Sequence, residues 1–155
     1  MKKIALGADH GGYLLKESVK NHLTSLGYDV QDFGTDSEKA CDYPDLAKLV
    51  AYNVRDKVSE LGILLCGSGV GVTITANKVI GIRACLCHDT FSARQGVEDD
   101  NMNILCLGGR VIGSELAKDI VNVFVNAKFS NLDRHNRRIN KIIALENTNL
   151  AVKET

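Results

Sequence analysis

The sequence has no excess of either charge, since nineteen lysines and arginines cancel nineteen aspartates and glutamates. The two signs are interspersed, so the broad positive field of a nucleic-acid binder is missing and nucleic acid is excluded as a partner. No long apolar run is present. Met1 to Asp9 hold only a handful of apolar side chains before an aspartate, too few for a signal-peptide core or a spanning helix, and the reading is a soluble, cytoplasmic chain with no membrane partner. A Cys-x-x-Cys pair is also missing. The five cysteines, Cys41, Cys66, Cys85, Cys87 and Cys106, are odd in number and argue against both a secreted disulfide framework and a zinc ribbon. Reduced thiols are expected. Cys85 and Cys87 lie two apart before His88 and read as packing on one strand face, because a tetrahedral metal site needs a second pair of ligands. No segment repeats or is low in complexity, and Pro44 is the only proline. At 155 residues the chain fits one domain, 1–155, able to bury about two-thirds of its unfolded surface.

What is present centres on Leu61-Gly-Ile-Leu-Leu-Cys-Gly-Ser-Gly-Val-Gly71, an apolar run of strand length ending in Cys66 and three glycines. Gly67, Gly69 and Gly71 free the backbone for positive φ and close approach to a ligand, and a following helix would aim its first free N–H groups at the same place. A thiol then lies beside an anion cradle. The spacing is neither the Gly-x-Gly-x-x-Gly dinucleotide fingerprint nor a Gly-Lys-Ser/Thr phosphate loop, and Ser68 lacks the first glycine of a Gly-x-Ser-x-Gly elbow. An ordinary strand-to-helix turn with a buried cysteine explains the same residues.

Hydrophobic periodicity predicts strands at 3–8, 28–33, 61–66, 82–87 and 104–107, alternating with helices over 13–26, 44–59, 72–78, 92–98 and 114–127, with a last helix over 134–147. Asp89 or Thr90 and Ser114 are the expected caps, and Gly27 closes the first helix. Alternating strands and helices predict a doubly wound α/β fold: a five-stranded parallel sheet, taken in the common order 2-1-3-4-5, with helices on both faces. Ligands of such sheets bind outside the carboxyl ends where the order reverses, between the first and third strands. Asp9-His10 and Cys66 to Gly71 end those two strands.

Asp9 and His10 therefore suit a hydrogen-bonding pair facing a ligand, whereas His22 falls on the apolar side of its helix and reads as packing. His88 follows a strand end and fits either role. A thiol is mostly protonated at neutral pH, and a helix N-terminus favours the thiolate; Cys66 has that setting. Only His10 is an evident imidazole for it. Arg134, His135, Arg137 and Arg138 cluster in the last helix, where three guanidinium forks suit phosphate but equally make a solvated face. Arg110 follows the fifth strand and could reach the crevice. Glu98-Asp99-Asp100 reads as a solvated turn near the same rim.

The motifs Gly-Ala-Asp-His-Gly-Gly (7–12), Asp-Tyr-Pro-Asp (42–45), Cys-Gly-Ser-Gly-Val-Gly (66–71), Ala-Asn-Lys (76–78), Gly-Ile-Arg-Ala (81–84) and Leu-Gly-Gly-Arg-Val-Ile-Gly (107–113) together resemble the ribose-5-phosphate isomerase B family, from residue 3 to about 146. The resemblance implies interconversion of an aldose phosphate and a ketose phosphate through an enediolate. It implies no metal or organic cofactor, and a homodimer, open to a further dimer of dimers, whose sites lie between subunits. The last helix would pack on the partner. By the same resemblance Cys66 is the base, and the backbone of Gly67, Ser68, Gly69, Val70 and Gly71 holds the enediolate oxygens. Asp9 binds sugar hydroxyls, Tyr43 lines the pocket, His10, Arg134 and Arg138 hold phosphate, and Arg110 touches substrate. Many members have His-Asn where this chain has Asp99-Asp100, a histidine credited with opening the furanose ring. Asp99 can accept the anomeric proton but not donate one at neutral pH, and Asp100 loses an amide donor. The expected substrates are ribose 5-phosphate and ribulose 5-phosphate. A tetrulose phosphate, which cannot close such a ring, or a hexose phosphate comes next, and a non-catalytic sugar-phosphate binder is the rival.

Overall fold

The computed structural model describes residues 1–151, so that 152–155 of the expected 1–155 domain lie outside the described residues. Five strands, β1 (Lys3–Ala8), β2 (Asp29–Asp32), β3 (Leu61–Cys66), β4 (Ala84–Leu86) and β5 (Ile104–Gly108), pair in parallel throughout. They alternate with α1 (Tyr13–Ser25), α2 (Tyr43–Arg55), α3 (Val70–Ala76), α4 (Thr90–Asp100) and α5 (Ser114–Asn126), and α6 (Asp133–Ala151) follows. The central strands are apolar runs because both faces are covered. Along β3 the two-residue period sends Ile63 and Leu65 to a core shared with α1, α4 and α5, and Leu64 and Cys66 to a second core shared with α2 and α3.

The strand order is β2-β1-β3-β5-β4, which corrects the expected 2-1-3-4-5 at its far side. All five residues of β5 are buried, whereas β4 pairs over three residues of which Ala84 alone is buried. A strand apolar on both faces belongs between two neighbours, and a short, half-covered one belongs at the edge. Right-handed crossovers then fix the layers. The chain steps one way under α2 and α3, and steps back over the opposite face through α1 and α4; α5 follows on that face. The sheet thus reverses on both sides of β3.

Local departures have local causes. Helix α2 stops at Arg55 rather than near Ser59, because Lys57 takes φ 58° and the Val58 and Ser59 N–H groups turn back to the Asn53 carbonyl. The expected strand from Ile82 shortens to β4, since Ile82 N–H bonds the Val79 carbonyl in a turn. Asp89 caps α4 by accepting from the Ser92 N–H at 2.6 Å. The apolar positions expected at helical spacing along 13–26 are Leu14, Leu15, Val19, His22, Leu23 and Leu26; Leu15, Val19 and Leu23 are buried, but Leu14 is 66% exposed and Leu26 52%, while Lys16 is 2% exposed. The Lys16 ammonium donates to Asp32 Oδ2 at 2.7 Å and to the Thr35 carbonyl at 2.9 Å, and it pairs with Glu17 at 2.9 Å. Burial opposes the Asp32 charge, but hydrogen bonds from Lys16, Lys20 and the Gly34 N–H outweigh it and hold the carboxyl below its ordinary value. The loop after β2 is pinned to α1 in this way. His22 packs as expected, its Nε2 at 2.8 Å from Asn122 Oδ1.

Candidate active site

Cys66 is the last residue of β3 and 5% exposed. The Gly69 N–H donates to its Sγ at 3.0 Å, a donor that a thiolate can use. Gly69 holds φ 81°, and a Cβ there would fall 2.8 Å from the Leu107 carbonyl carbon, so only glycine brings this N–H so close to β5. The exposed Ser68 accepts from the Val70 N–H at 3.2 Å, which leaves its own hydrogen free to donate. Tyr43 opens α2 and lays its ring on Gly71, where a Cβ would come within 2.6 Å of the ring.

The loop after β1 closes against this turn from one side. Asp9, 7% exposed, accepts the Gly11 and Gly12 N–H groups on Oδ1, at 2.9 and 3.2 Å, leaving Oδ2 for another partner. The Cys41 N–H donates to His10 Nδ1 at 3.2 Å, so His10 presents Nε2 as a donor. Among the described residues no hydrogen bond joins His10 to Cys66; the expected imidazole partner of the sulfur is instead directed at the loop 33–42 side. From the other side comes the end of β5. Gly109 N–H donates to the Cys66 carbonyl at 2.8 Å, Arg110 N–H to the Gly67 carbonyl at 2.9 Å, and the Arg110 guanidinium lies over Gly67. His10, Gly11, Gly109, Arg110 and Glu38 line a cavity of about 200 Å³ between these loops. A larger cavity of about 490 Å³ opens at the amino-terminal edge of the sheet, lined by Arg55 and Arg83 among others, away from Cys66. The smaller one lies on the carboxyl side of the sheet, where Gly109 N–H reaches the Cys66 carbonyl and Arg110 covers Gly67.

Asp99, Asp100, Arg134 and Arg138 do not join this cluster within one chain. Helix α4 leaves the carboxyl ends of the strands and returns to the amino end of β5, so its last turn lies at the opposite edge of the sheet. The expectation that the 98–100 turn borders the Cys66 rim is therefore corrected. Helix α6 starts beside it: Ser130 N–H bonds the Glu98 carbonyl at 2.9 Å, and buried His135 places Nε2 at 3.5 Å from Asp99 Oδ1 and Nδ1 at 2.6 Å from Ser130 Oγ. Arg134 and Arg138, one helical turn apart, are exposed on α6. Burial pushes the Cys87 and Cys106 thiols up to about 12 and raises Cys85, which sets these three apart as inert packing groups. Among the described residues there is no metal-binding cluster of His, Cys, Asp and Glu, and no helix long and apolar enough to cross a membrane. Sequence reasoning left His88 undecided; its Nε2 accepts the Gly108 N–H at 2.9 Å, a bond no spacing announces.

Fold and site together define a doubly wound α/β protein with a cysteine-centred polar site where its parallel sheet reverses. The family model described as Ribose/Galactose Isomerase matches residues 4–142, and the chain belongs to that family. It is accordingly an aldose–ketose isomerase of sugar phosphates. It is 44% identical over 146 residues to ribose-5-phosphate isomerase B of Escherichia coli, covering 94% of this chain and 97% of that one. It is 43% identical over 130 residues to D-erythrulose-4-phosphate isomerase of Pectobacterium atrosepticum, covering 83% and 86%. The ribose-5-phosphate isomerase B structure from Clostridium thermocellum superposes with a TM-score of 0.92 at 44% identity, over 94% of this chain and 98% of that one.

Proposed function

We propose that the protein interconverts ribose 5-phosphate and ribulose 5-phosphate in the cytoplasm, with Cys66 as the base, in a homodimer whose sites draw on both subunits. The observation that carries this reading is the Cys66 sulfur at the carboxyl end of β3, 3.0 Å from the Gly69 N–H of the glycine turn that follows it. The thiolate takes the proton from C2 of the open-chain aldose. The electron pair left behind forms the C1–C2 double bond and drives charge onto O1. Those amides of the Gly67–Gly71 turn that do not already donate to Cys66 or Ser68, together with the free Ser68 hydrogen, hold that charge, an arrangement that acts where it develops. Return of the proton to C1, with transfer of the O2 proton to O1, gives the ketose and needs no redox partner to balance. Asp9 Oδ2 receives sugar hydroxyls, Tyr43 walls the pocket, and His10 Nε2–H and Arg110 meet the phosphate end.

The remaining groups arrive from a second copy. Arg134 and Arg138, stranded at the far edge of their own sheet and exposed, would cover the partner's cleft and hold phosphate there, with Asp99 and Asp100 beside them. Packing of α6 on the partner brings this about. Five free cysteines fit a reducing compartment.

A four-carbon substrate is the second reading, favoured by Asp99. It stands where many members of the family have the histidine credited with ring opening, its carboxyl lies against His135, and a 4-phosphorylated tetrulose has no such ring to open. The relative from Pectobacterium atrosepticum carries that substrate in its name. Specificity constants for four-, five- and six-carbon aldose phosphates test both readings. Highest kcat/KM with ribose 5-phosphate supports the first; a preference of tenfold or more for the tetrose overturns it in favour of the second.

A further inference from the structure

The end of β5 is the wall against which the Cys66 loop is built. Gly108 pairs with Cys66 across the sheet. A Cβ on Gly108 would fall 2.6 Å from the Ser68 carbonyl oxygen, and one on Gly69 would fall 2.8 Å from the Leu107 carbonyl carbon. The loop and the strand end thus touch backbone to backbone, with the Leu86 and Val111 side chains packed against the same two glycines. A wall so placed must itself be fixed laterally. On the β3 side the Gly109 N–H donates to the Cys66 carbonyl at 2.8 Å. On the β4 side the strand is too short to serve: its register ends at Leu86 opposite Cys106, and its last bond in that direction is from Cys87 N–H to the Cys106 carbonyl at 3.3 Å. The next inward N–H of β5, that of Gly108, would be left without an acceptor in a buried strand end, a cost of about 1–3 kcal/mol in general. The His88 side chain fills the gap, with Nε2 at 2.9 Å from the Gly108 nitrogen.

We propose that His88 is a positioning residue for the isomerase reaction: as a neutral imidazole protonated on Nδ1, it holds Gly108 and through it aims the Gly69 N–H at the Cys66 sulfur. The tautomer follows from the donor, since a backbone N–H can only give a hydrogen bond and Nε2 must therefore be bare. The imidazole never meets substrate on this account. Its backbone is held as well, because the next residue, Asp89, caps α4. Freed from His88, the β5 end and the glycine loop lying on it would drift together, and misplacement by an ångström is enough to cost about 100-fold in rate.

The inference rests on Cys66 as base, and its test separates the two. In ¹⁵N-labelled wild-type protein a scalar coupling through the hydrogen bond is expected between the Gly108 amide nitrogen and His88 Nε2. His88→Gln, whose amide oxygen can accept the same N–H, should keep kcat within about threefold. His88→Leu should lower kcat by about 10–100-fold with KM within about twofold, and should change the rate at which iodoacetamide alkylates Cys66, followed by peptide mass spectrometry. Absence of the coupling, or wild-type kcat and alkylation in His88→Leu, overturns the proposal. The coupling is read on wild type, so a poorly folding leucine variant leaves the test intact. If Cys66 is not the base, Cys66→Ala turns over normally while the coupling and the alkylation contrast remain.

Discussion

Burial raises three of the five thiols, Cys85, Cys87 and Cys106, and a fourth, Cys66, receives the Gly69 N–H at the buried end of β3. Replacing Cys66 by alanine should lower kcat by about 100-fold or more with little change in binding, the usual scale for a positioned base, as measured by steady-state kinetics and isothermal titration with ribose 5-phosphate. An unchanged rate would remove the sulfur from the mechanism. Cys87 and Cys106 make a different prediction. Burial raises both from an ordinary 9.0 to about 12 in the folded protein, so folding favours their protonated form. Their contribution to stability is complete below the unfolded value and is lost as pH climbs from 9.0 toward 12. Thermal unfolding followed across that window should show a falling midpoint, and a Cys106→Ala variant should show a shallower fall.

The elements depend on contacts of two kinds, backbone against backbone at the site and ions at the β2 loop. Gly69→Ala forces a side chain at φ 81° to within 2.5 Å of Leu86 and 2.8 Å of the Leu107 backbone, so a loss of more than about 1 kcal/mol of stability is expected in urea unfolding, together with loss of turnover. Lys16→Met leaves Asp32 with Lys20 and the Gly34 N–H and should cost about 3 kcal/mol in the same measurement, the lower end for breaking a buried pair. Wild-type stability in that variant would show the buried ammonium to be idle. Most elements were legible in the sequence, because β1 and β3 are bare apolar runs and the three glycines after Cys66 mark a turn that other residues could not follow. The position of β5 was not. Two consecutive crossovers of similar length do not say which one doubles back, and that choice rests on how completely each strand is covered. Lys16 was invisible for a related reason: helical periodicity puts it on the inner face, but a charge is granted that place only by Asp32 and Thr35 across the fold. Within the site, residues at strand ends were placed by topology alone, whereas the position of Asp99 required following α4 to its far end.

At the scale of the whole molecule, the groups expected to share one substrate are parted by the length of the sheet. Mixing Cys66→Ala with Arg138→Ala subunits tests whether two chains complete each site. In a mixed dimer with shared sites, one site collects both defects and the other collects none. An equimolar, freely exchanging mixture should then regain about a quarter of wild-type activity from two nearly dead parents. No recovery would place both residues in the same chain's site. The six residues of β3 run the span between the Cys66 loop and the edge where α6 begins, about 20 Å at the rise of a parallel strand. No hinge within a single parallel sheet can fold one edge onto the other. On the proposed assignment a freshly made chain would be mute until it met a second, and turnover per chain would sink on dilution and revive on concentration, so that the catalytic rate would double as a gauge of how much of the protein has found a mate.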